Sequence, residues 1–554
     1  MRRIMKGCVF IFSLIMIFGI SGCGDDVDNT YNYYTQEPEE EALHEGMPQV
    51  VVVSGSDYEM GYQCAQQIAP LIWDNHVLTW GALVATYGEE AVLKDAQVWA
   101  YYWYEYDPSF KDWVEGMSDG CKEQGYDLSP LEILMISLYP TTMWGRPPGP
   151  YPPETGVQGV AQVSADSVDA AEKHSCTSFS ATGTATTDGN PVVAVTKMVP
   201  METMQCFILV AFPDDGPSFT TCGQAGQVSA NSGLNSAGFA MAMTALWWED
   251  VWDFPIEGYF HYLAQFPESV AEAQAYLETT PRGGCMGSVN MADAAGNIRV
   301  FEGTWADYGL RDPGDAGELD PFLVQTNHYV HPDMLAYNYP GVETGGSWYR
   351  YVTAFEYAEA AAAAGAVDFE FIKAMYRSDD WYDDATDTWH YNDPAGPGVL
   401  NSFPSSVTQA ILFPADLIAH FCVGTPSGIG VPVGATGEYV KLKLADDPAT
   451  VTNNVKNYAF GFYRDARNLF ESELNDNAPY LTYEIAQSLE EMLDEAMLEY
   501  QRGMTAGGLA LLAGQEGAPV SEEVALWGEA LTHYAKTQLY AQMVTTQLED
   551  LAAP

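Results

Sequence analysis

A cysteine opens the first of two strand-like runs in "HSCTSFSATGTATTDGNPVVAVTKM", residues 174–198. Placed there, Cys176 could do chemistry that an ordinary mid-chain thiol could not. Cleavage after Ser175 would make it an N-terminal residue, and its own α-amino group, with an ordinary pKa of ~7.7 to 8, would serve as general base for its side chain. Nucleophile and base would then share one residue. On spacing alone the balance still lies with a structural cysteine, a small buried hydrophobe. Besides Cys8 and Cys23, cysteines fall at 64, 121, 176, 206, 222, 285 and 422, an odd set that leaves at least one thiol unpaired in an oxidising compartment. No CxxC pair or Cys/His cluster at zinc spacing occurs, so a metal site of that kind is not expected. His328 and His331 have no third ligand at fitting spacing and read as ordinary histidines. No cofactor is expected.

The elements that must position Cys176 follow from the pattern around it. "TTDGNP" sets Asp188-Gly189 between two runs of Val, Thr, Ala and Phe, the strongest short-range hairpin signal. "VNMADAAGNIRVFEG" (289–303) reads as a second hairpin. "PQVVVVSGS" (48–56) reads as a strand, followed by a helical pattern in "DYEMGYQCAQQIAPLIW" (57–73). Residues 348–378 and 479–550 read as helical, with apolar residues at three- and four-residue spacing in "LTYEIAQSLEEMLDEAMLEYQRGM". Between the N-terminal part and Cys176 runs "RPPGPYPPETGVQGVAQVSADSVDAAEK", whose Pro/Gly-rich start cannot sustain regular structure. The chain thus divides into a signal (1–23), an acidic tether (24–46), an N-terminal helix and strand part (47–145), a linker to the cleavage site (146–175), a β-rich body (176–455) and a helical extension (456–554).

The chain begins "MRRIMKGCVFIFSLIMIFGISGC", with Arg2, Arg3 and Lys6 ahead of an apolar stretch and small residues before Cys23. This resembles a bacterial lipoprotein signal, in which Cys23 would be lipidated and become the mature N-terminus; a plain secretory signal is the alternative. No later segment reaches the ~18 apolar residues that span a bilayer, so lipid would be the only membrane anchor. Across the 554 residues, 22 Lys and Arg face 76 Asp and Glu, a formal charge of −54. Such a surface repels nucleic acid and anionic membranes and suits salty surroundings, where the self-repulsion is screened. Residues 24–46 hold no Lys or Arg and little aliphatic content, as expected of a solvated tether.

Six motifs occur in a familiar order: "GSDYEMGYQCA" (55–65), "EGMSDGC" (115–121), "CTSFSATGTATTDGNPVVAV" (176–195), "GLNSAGFAMA" (233–242), "TNHYV" (326–330) and "GSWYRY" (346–351). Over roughly residues 50–440 the chain resembles the self-processing cysteine acyltransferases and amidohydrolases. That family is similar to isopenicillin N acyltransferase and related to penicillin V acylases and bile-salt hydrolases. The resemblance implies an α+β fold, the N-terminal-nucleophile αββα four-layer sandwich, here with an added C-terminal helical segment. It also implies that Cys176 is the nucleophile freed by cleavage after Ser175, that Asn235 and Asn327 donate to the oxyanion, and that Arg350 orders the nucleophile. Preorganised donors of that kind are worth about 3 kcal/mol each. From the residues alone, Asn235 reads equally as a turn residue, Asn327 as a strand-end cap, and Arg350 as a surface ion-pair partner.

One departure stands out. The family carries an Arg and an Asp after the first hairpin, the acid touching the nucleophile's amine; this chain reads Ala194-Val195-Thr196-Lys197-Met198, so Lys197 or an acid from elsewhere must substitute. Three functions remain open. The first is an extracytoplasmic amidohydrolase or acyltransferase that takes a small-molecule acyl amide or acyl donor through a thioester on Cys176. The second is a lipoprotein that only binds a ligand, and the third is a lipid deacylase of related fold. "ALWWEDVWDFP" (245–254) suits either an acyl pocket or a buried hairpin tip.

Overall fold

A computed structural model describes residues 47–137, 175–198, 205–228, 230–246, 257–280, 287–304, 307–314, 321–338, 341–400, 406–423, 437–476 and 478–553. The signal, Cys23, the tether, the linker up to residue 174, Cys285 and residues 247–254 of the tryptophan-rich stretch lie outside these.

Two sheets form the centre. The first orders its strands β1 (Gln49–Gly55), β4 (Cys206–Pro213), β5 (Phe219–Gln224), β6 (Ser232–Asn235), β7 (Phe239–Ala245), β8 (Gly287–Asp293), β9 (Ile298–Gly303) and β10 (Tyr308–Arg311). The second runs β11 (Phe322–Gln325), β2 (Ser175–Ala181), β3 (Val192–Met198), β14 (Ser406–Phe413), β15 (Ile418–Val423) and β16 (Val440–Lys443). A small ribbon, β12 (Trp381–Asp383) with β13 (Thr388–His390), stands apart. Among the described residues all ladders are antiparallel except β1 on β4, and a strand in parallel pairing needs both faces covered. The Val50–Val53 run provides that: Val51 and Val53 pack outward against helices, Val50 and Val52 inward between the sheets.

Helices cover both outer faces. On the first sheet lie α1 (Asp57–Tyr87), α2 (Glu89–Tyr106), α3 (Pro108–Glu123), α4 (Pro130–Ser137), α5 (Glu257–Gln265) and α6 (Val270–Thr279); on the second lie α7 (Gly346–Ala363) and α8 (Phe369–Arg377). Helix α1 starts at a Ser56/Glu59 capping box and kinks at Ile68, just before Pro70, whose missing N–H and ring displace the preceding turn. Two of the motif glycines sit where α1 crosses α3. A Cβ on Gly61 would lie 2.2 Å from the Trp113 carbonyl oxygen, and one on Gly116 2.0 Å from that of Tyr58, so only glycine lets the backbones approach. Where α1, α3 and α5 meet, His261 is buried with Nδ1 3.0 Å from Asp107 and Nε2 3.8 Å from Asp57. Burial opposes a charge on the ring, yet Asp107 and Asp57 outweigh it and raise its pKa.

The C-terminal helices α9 (Pro448–Asn475), α10 (Tyr483–Glu516) and α11 (Val520–Ala552) pack together. They begin at Pro448, ahead of the 456 boundary read from the sequence. Their apolar faces, including Val455, Ala459, Trp527, Leu531 and Tyr534, join the inter-sheet core beside Val52, Ile208 and Leu442. The region 47–137 contributes β1 to the first sheet. The hairpin read at Asp188-Gly189 is present as β2–β3, but its connection is long and contains a 3-10 turn at Gly183–Ala185. The hairpin at 289–303 is β8–β9. No helix among the described residues is long and apolar enough to cross a membrane.

Candidate active site

Strand β2 begins one residue before Cys176, and its neighbour stops short of it. Edge strand β11 pairs from Phe322 opposite Ala181 to Gln325 opposite Ser178 and goes no further. Where a backbone carbonyl would come next, a side chain takes its place: Asn327 Oδ1 accepts the Cys176 N–H at 2.9 Å. From α7, Arg350 reaches the same spot. Its Nη1 donates to the Cys176 carbonyl at 2.7 Å and to Thr177 Oγ1 at 3.0 Å, and its Nη2 to Asn327 Oδ1 at 2.9 Å. Both backbone polar groups of Cys176 are therefore held by side chains, and Tyr376 OH donates to the next carbonyl, that of Thr177, at 3.1 Å.

The loop carrying Asn327 is fixed by a network that the sequence motifs did not disclose. Glu302 on β9 and Arg311 on β10 form a fully buried ion pair, 2.7 Å apart. Arg311 also donates to Val324 O at 2.6 Å and Gln325 Oε1 at 2.5 Å. Gln325 Nε2 in turn donates to His328 O at 2.7 Å, and Glu302 Oε2 accepts the N–H groups of Val330 and His331 at 2.9 and 3.0 Å. Thr244 Oγ1 donates to Thr326 O, and the Asn327 N–H to Ser347 Oγ. Burial, together with the charges of Arg311 and Arg350, pushes His328 down to about 3, so its ring is neutral; Nδ1 lies 2.8 Å from Ser347 Oγ. His331 instead caps a 3-10 turn, accepting the Asp333 N–H. Among the described residues no group of three His, Cys, Asp or Glu side chains converges as a metal site.

Cys176, Asn327 and Arg350 thus come together, and Asn235 does not join them. Its Nδ2 donates to Pro267 O at 2.7 Å and its Oδ1 accepts the Phe239 N–H at 3.1 Å, which fastens the β6–β7 turn to the loop after α5. Asn327 also departs from the donor role the resemblance implies: its Nδ2 is committed to Ala245 O at 2.8 Å, and it is the oxygen that faces Cys176. Cys64, Cys121, Cys206, Cys222 and Cys422 are buried like Cys176. Desolvation raises all five of these others, Cys206 to about 12, so none of them is primed as a nucleophile.

One family model agrees with the resemblance over part of the chain. Residues 198–363 match the family model of acyl-coenzyme A:6-aminopenicillanic acid acyl-transferase. Among solved structures, a mutant conjugated bile acid hydrolase from Clostridium perfringens is similar at 12% identity over 49% of this chain and 97% of its own, with a TM-score of 0.29. Penicillin V acylase from Agrobacterium tumefaciens is similar at 16% over 45% and 83%, and an N-acylethanolamine-hydrolyzing acid amidase ortholog from Caenorhabditis elegans at 13% over 43% and 93%, each with a TM-score of 0.29. No curated protein matches the chain. The segment matched by that family model holds Asn327 and Arg350.

Proposed function

We propose that the protein is an extracytoplasmic, self-cleaving acyltransferase or amidohydrolase that acts on linear amides through an acyl-thioester on an N-terminal Cys176. The observation that carries this reading is the double clamp on the Cys176 backbone, its N–H on Asn327 and its carbonyl under Arg350. In the uncut chain the thiol sulfur attacks the Ser175 carbonyl carbon; the C–N bond breaks, the nitrogen gains a proton, and a thioester joins Ser175 to Cys176. Water then hydrolyses the thioester to a Ser175 carboxylate and a free thiol. The amine so released is the same nitrogen that Asn327 already holds, so the new N-terminus stays in register with its sulfur. Substrate amide would next be attacked by that thiol with the amine as base, and the acyl group passed to water or to an acceptor amine.

N-terminal sequencing and intact mass of the purified protein test this directly. Two tightly associated fragments, one ending at Ser175 and one beginning at Cys176, are expected. An active protein with the Ser175–Cys176 bond intact would overturn the mechanism. Lipidation at Cys23 belongs to the same proposal: the protein should partition into detergent and lose that behaviour in Cys23→Ala, and equal partitioning of both forms would remove the anchor.

A further inference from the structure

Lysine is an unusual residue to find facing a nucleophile between two sheets. Lys197 is 5% exposed and stands directly opposite Cys176 in the β2–β3 ladder. Directly opposed residues share a face. That face is the inter-sheet one, because Val193 and Val195, two and four residues before Lys197 on β3, belong to the core between the sheets, whereas Val192 and Ala194 pack outward with Phe179 and Ala181. The kind of pairing also follows from the clamp. Cys176 sends both its N–H and its carbonyl away from β3, to Asn327 and Arg350, so its pairing with Lys197 is of the non-hydrogen-bonded type. In such pairs the Cα atoms approach to about 4.5 Å and the side chains are closest.

We propose that Lys197 is the charged partner of the nucleophile: its ammonium stabilises the Cys176 thiolate across the ladder and disfavours protonation of the adjoining amine. This rests on the reading of Cys176 as the nucleophile. Lys197 acts through Cys176 and is a positioning residue in the electrostatic sense. A carboxylate in this place would hold the amine as an ammonium; a cation does the reverse, favouring thiolate and free amine together. Among the described residues, the surrounding elements bring Arg350 on α7, Tyr376 on α8, Cys206 on β4 and Cys222 on β5 to the pair as titratable groups, while β14 places Thr408 beside Lys197. The charge of Lys197 reaches both Cys206 and Cys222, easing in each the rise that desolvation causes, as expected of an ammonium projecting between the sheets.

The test is the pH dependence of iodoacetamide alkylation, read at Cys176 by peptide mass spectrometry. In the wild type the Cys176 midpoint should lie below the ~8.5 of a free cysteine, and a midpoint at or above that value overturns the proposal without any variant. Lys197→Met, close in volume and apolar, should move the midpoint up by about one pH unit, a roughly tenfold loss of labelling rate at neutral pH; Lys197→Arg should restore it. The acid limb of kcat/KM should move in the same direction. A Lys197→Met protein whose midpoint and acid limb both stay in place, whatever its stability, defeats the inference. The alkylation can be read on an uncut chain as well. Failure of self-cleavage would therefore strike the proposed function alone, and a cut chain indifferent to Lys197 would strike this inference alone.

Discussion

Two places in the sandwich share one device and use it differently. At one side the outermost strands β1 and β16 have no further strand beside them among the described residues, and side chains satisfy their backbones instead. Thr532 on α11 exchanges hydrogen bonds with the N–H and carbonyl of Val50, Gln67 with those of Val52, and Gln63 with those of Ser54. Gln538 does the same for Lys441, and Gln542 donates to Tyr439 O. At the Cys176 corner, Asn327 and Arg350 again stand in for a missing strand. The sealed edge uses neutral groups on long helices that carry the core outward, which removes a template for pairing with another chain. The corner uses a short amide on a clamped loop and a guanidinium, and leaves the Ser175–Cys176 peptide at the end of its ladder. The same backbone satisfaction thus closes one edge for stability and, in the function proposed above, holds the other for chemistry.

The comparison breaks first at the corner. Cys176→Ala should give one uncut chain with no turnover and an unchanged fold, checked by intact mass and thermal unfolding. Any turnover by this variant would remove the Cys176 thiol from the reaction. Next in size, Asn327→Ala should lower turnover of a cleaved substrate amide by ~10² to 10³, because the nucleophile's nitrogen loses its anchor and its geometry with it. An unchanged rate would remove Asn327 from the site.

At the sealed edge the expected effect is smaller and of another kind. Gln538→Leu strands the N–H and carbonyl of Lys441, which should cost about 1 to 3 kcal/mol of stability, read as a lower urea midpoint, with self-cleavage and turnover intact. A drop in turnover without a drop in stability would show that the two edges are coupled rather than separate.

How legible these regions were in the sequence differs for a physical reason. Strand β1, the β8–β9 hairpin and α10 rest on local pattern, and local pattern discloses them. Cys176, Asn327 and Arg350 were visible because short motifs surround each. The edge seals were not: Thr532, Gln538 and Gln542 are polar residues on a long helix, indistinguishable from a solvated face until the topology sets two unpaired strands against them. Asn235 stood in the same ambiguity as Asn327, since an asparagine before Ser-Ala-Gly suits a turn as well as a site, and only the position of Pro267 shows where its amide goes. Glu302 and Arg311 sat in ordinary strand runs, with nothing local to mark them as a buried pair. Lys197 had a readable signal, a single cation at the buried parity of the apolar run Val192–Val195, but its partner across the ladder required the register.

The mildest perturbation is pH, and it separates the helical layer from both edges. His261 has a raised pKa in the folded state because Asp107 and Asp57 overcome its burial. Its contribution is therefore fully present below the unfolded value of ~6.5 and is lost as pH rises through the folded one. His328 and His420 are the opposite case: burial, helped by nearby cations, lowers both, so their contribution is present above ~6.5 and is lost as the solution is acidified. The windows do not overlap. As far as the histidines govern it, stability should peak near pH 6.5, falling on the acid side through His328 and His420 and on the alkaline side through His261, with the buried thiols adding a further decline only above ~8.5. Asp107→Asn should weaken the protein near neutrality and flatten the slope between pH 6.5 and 8.5 while leaving the slope just below 6.5 in place, measured as urea midpoints across the range. An alkaline slope that survives in Asp107→Asn would show that the His261 cluster does not hold α1, α3 and α5 together by charge.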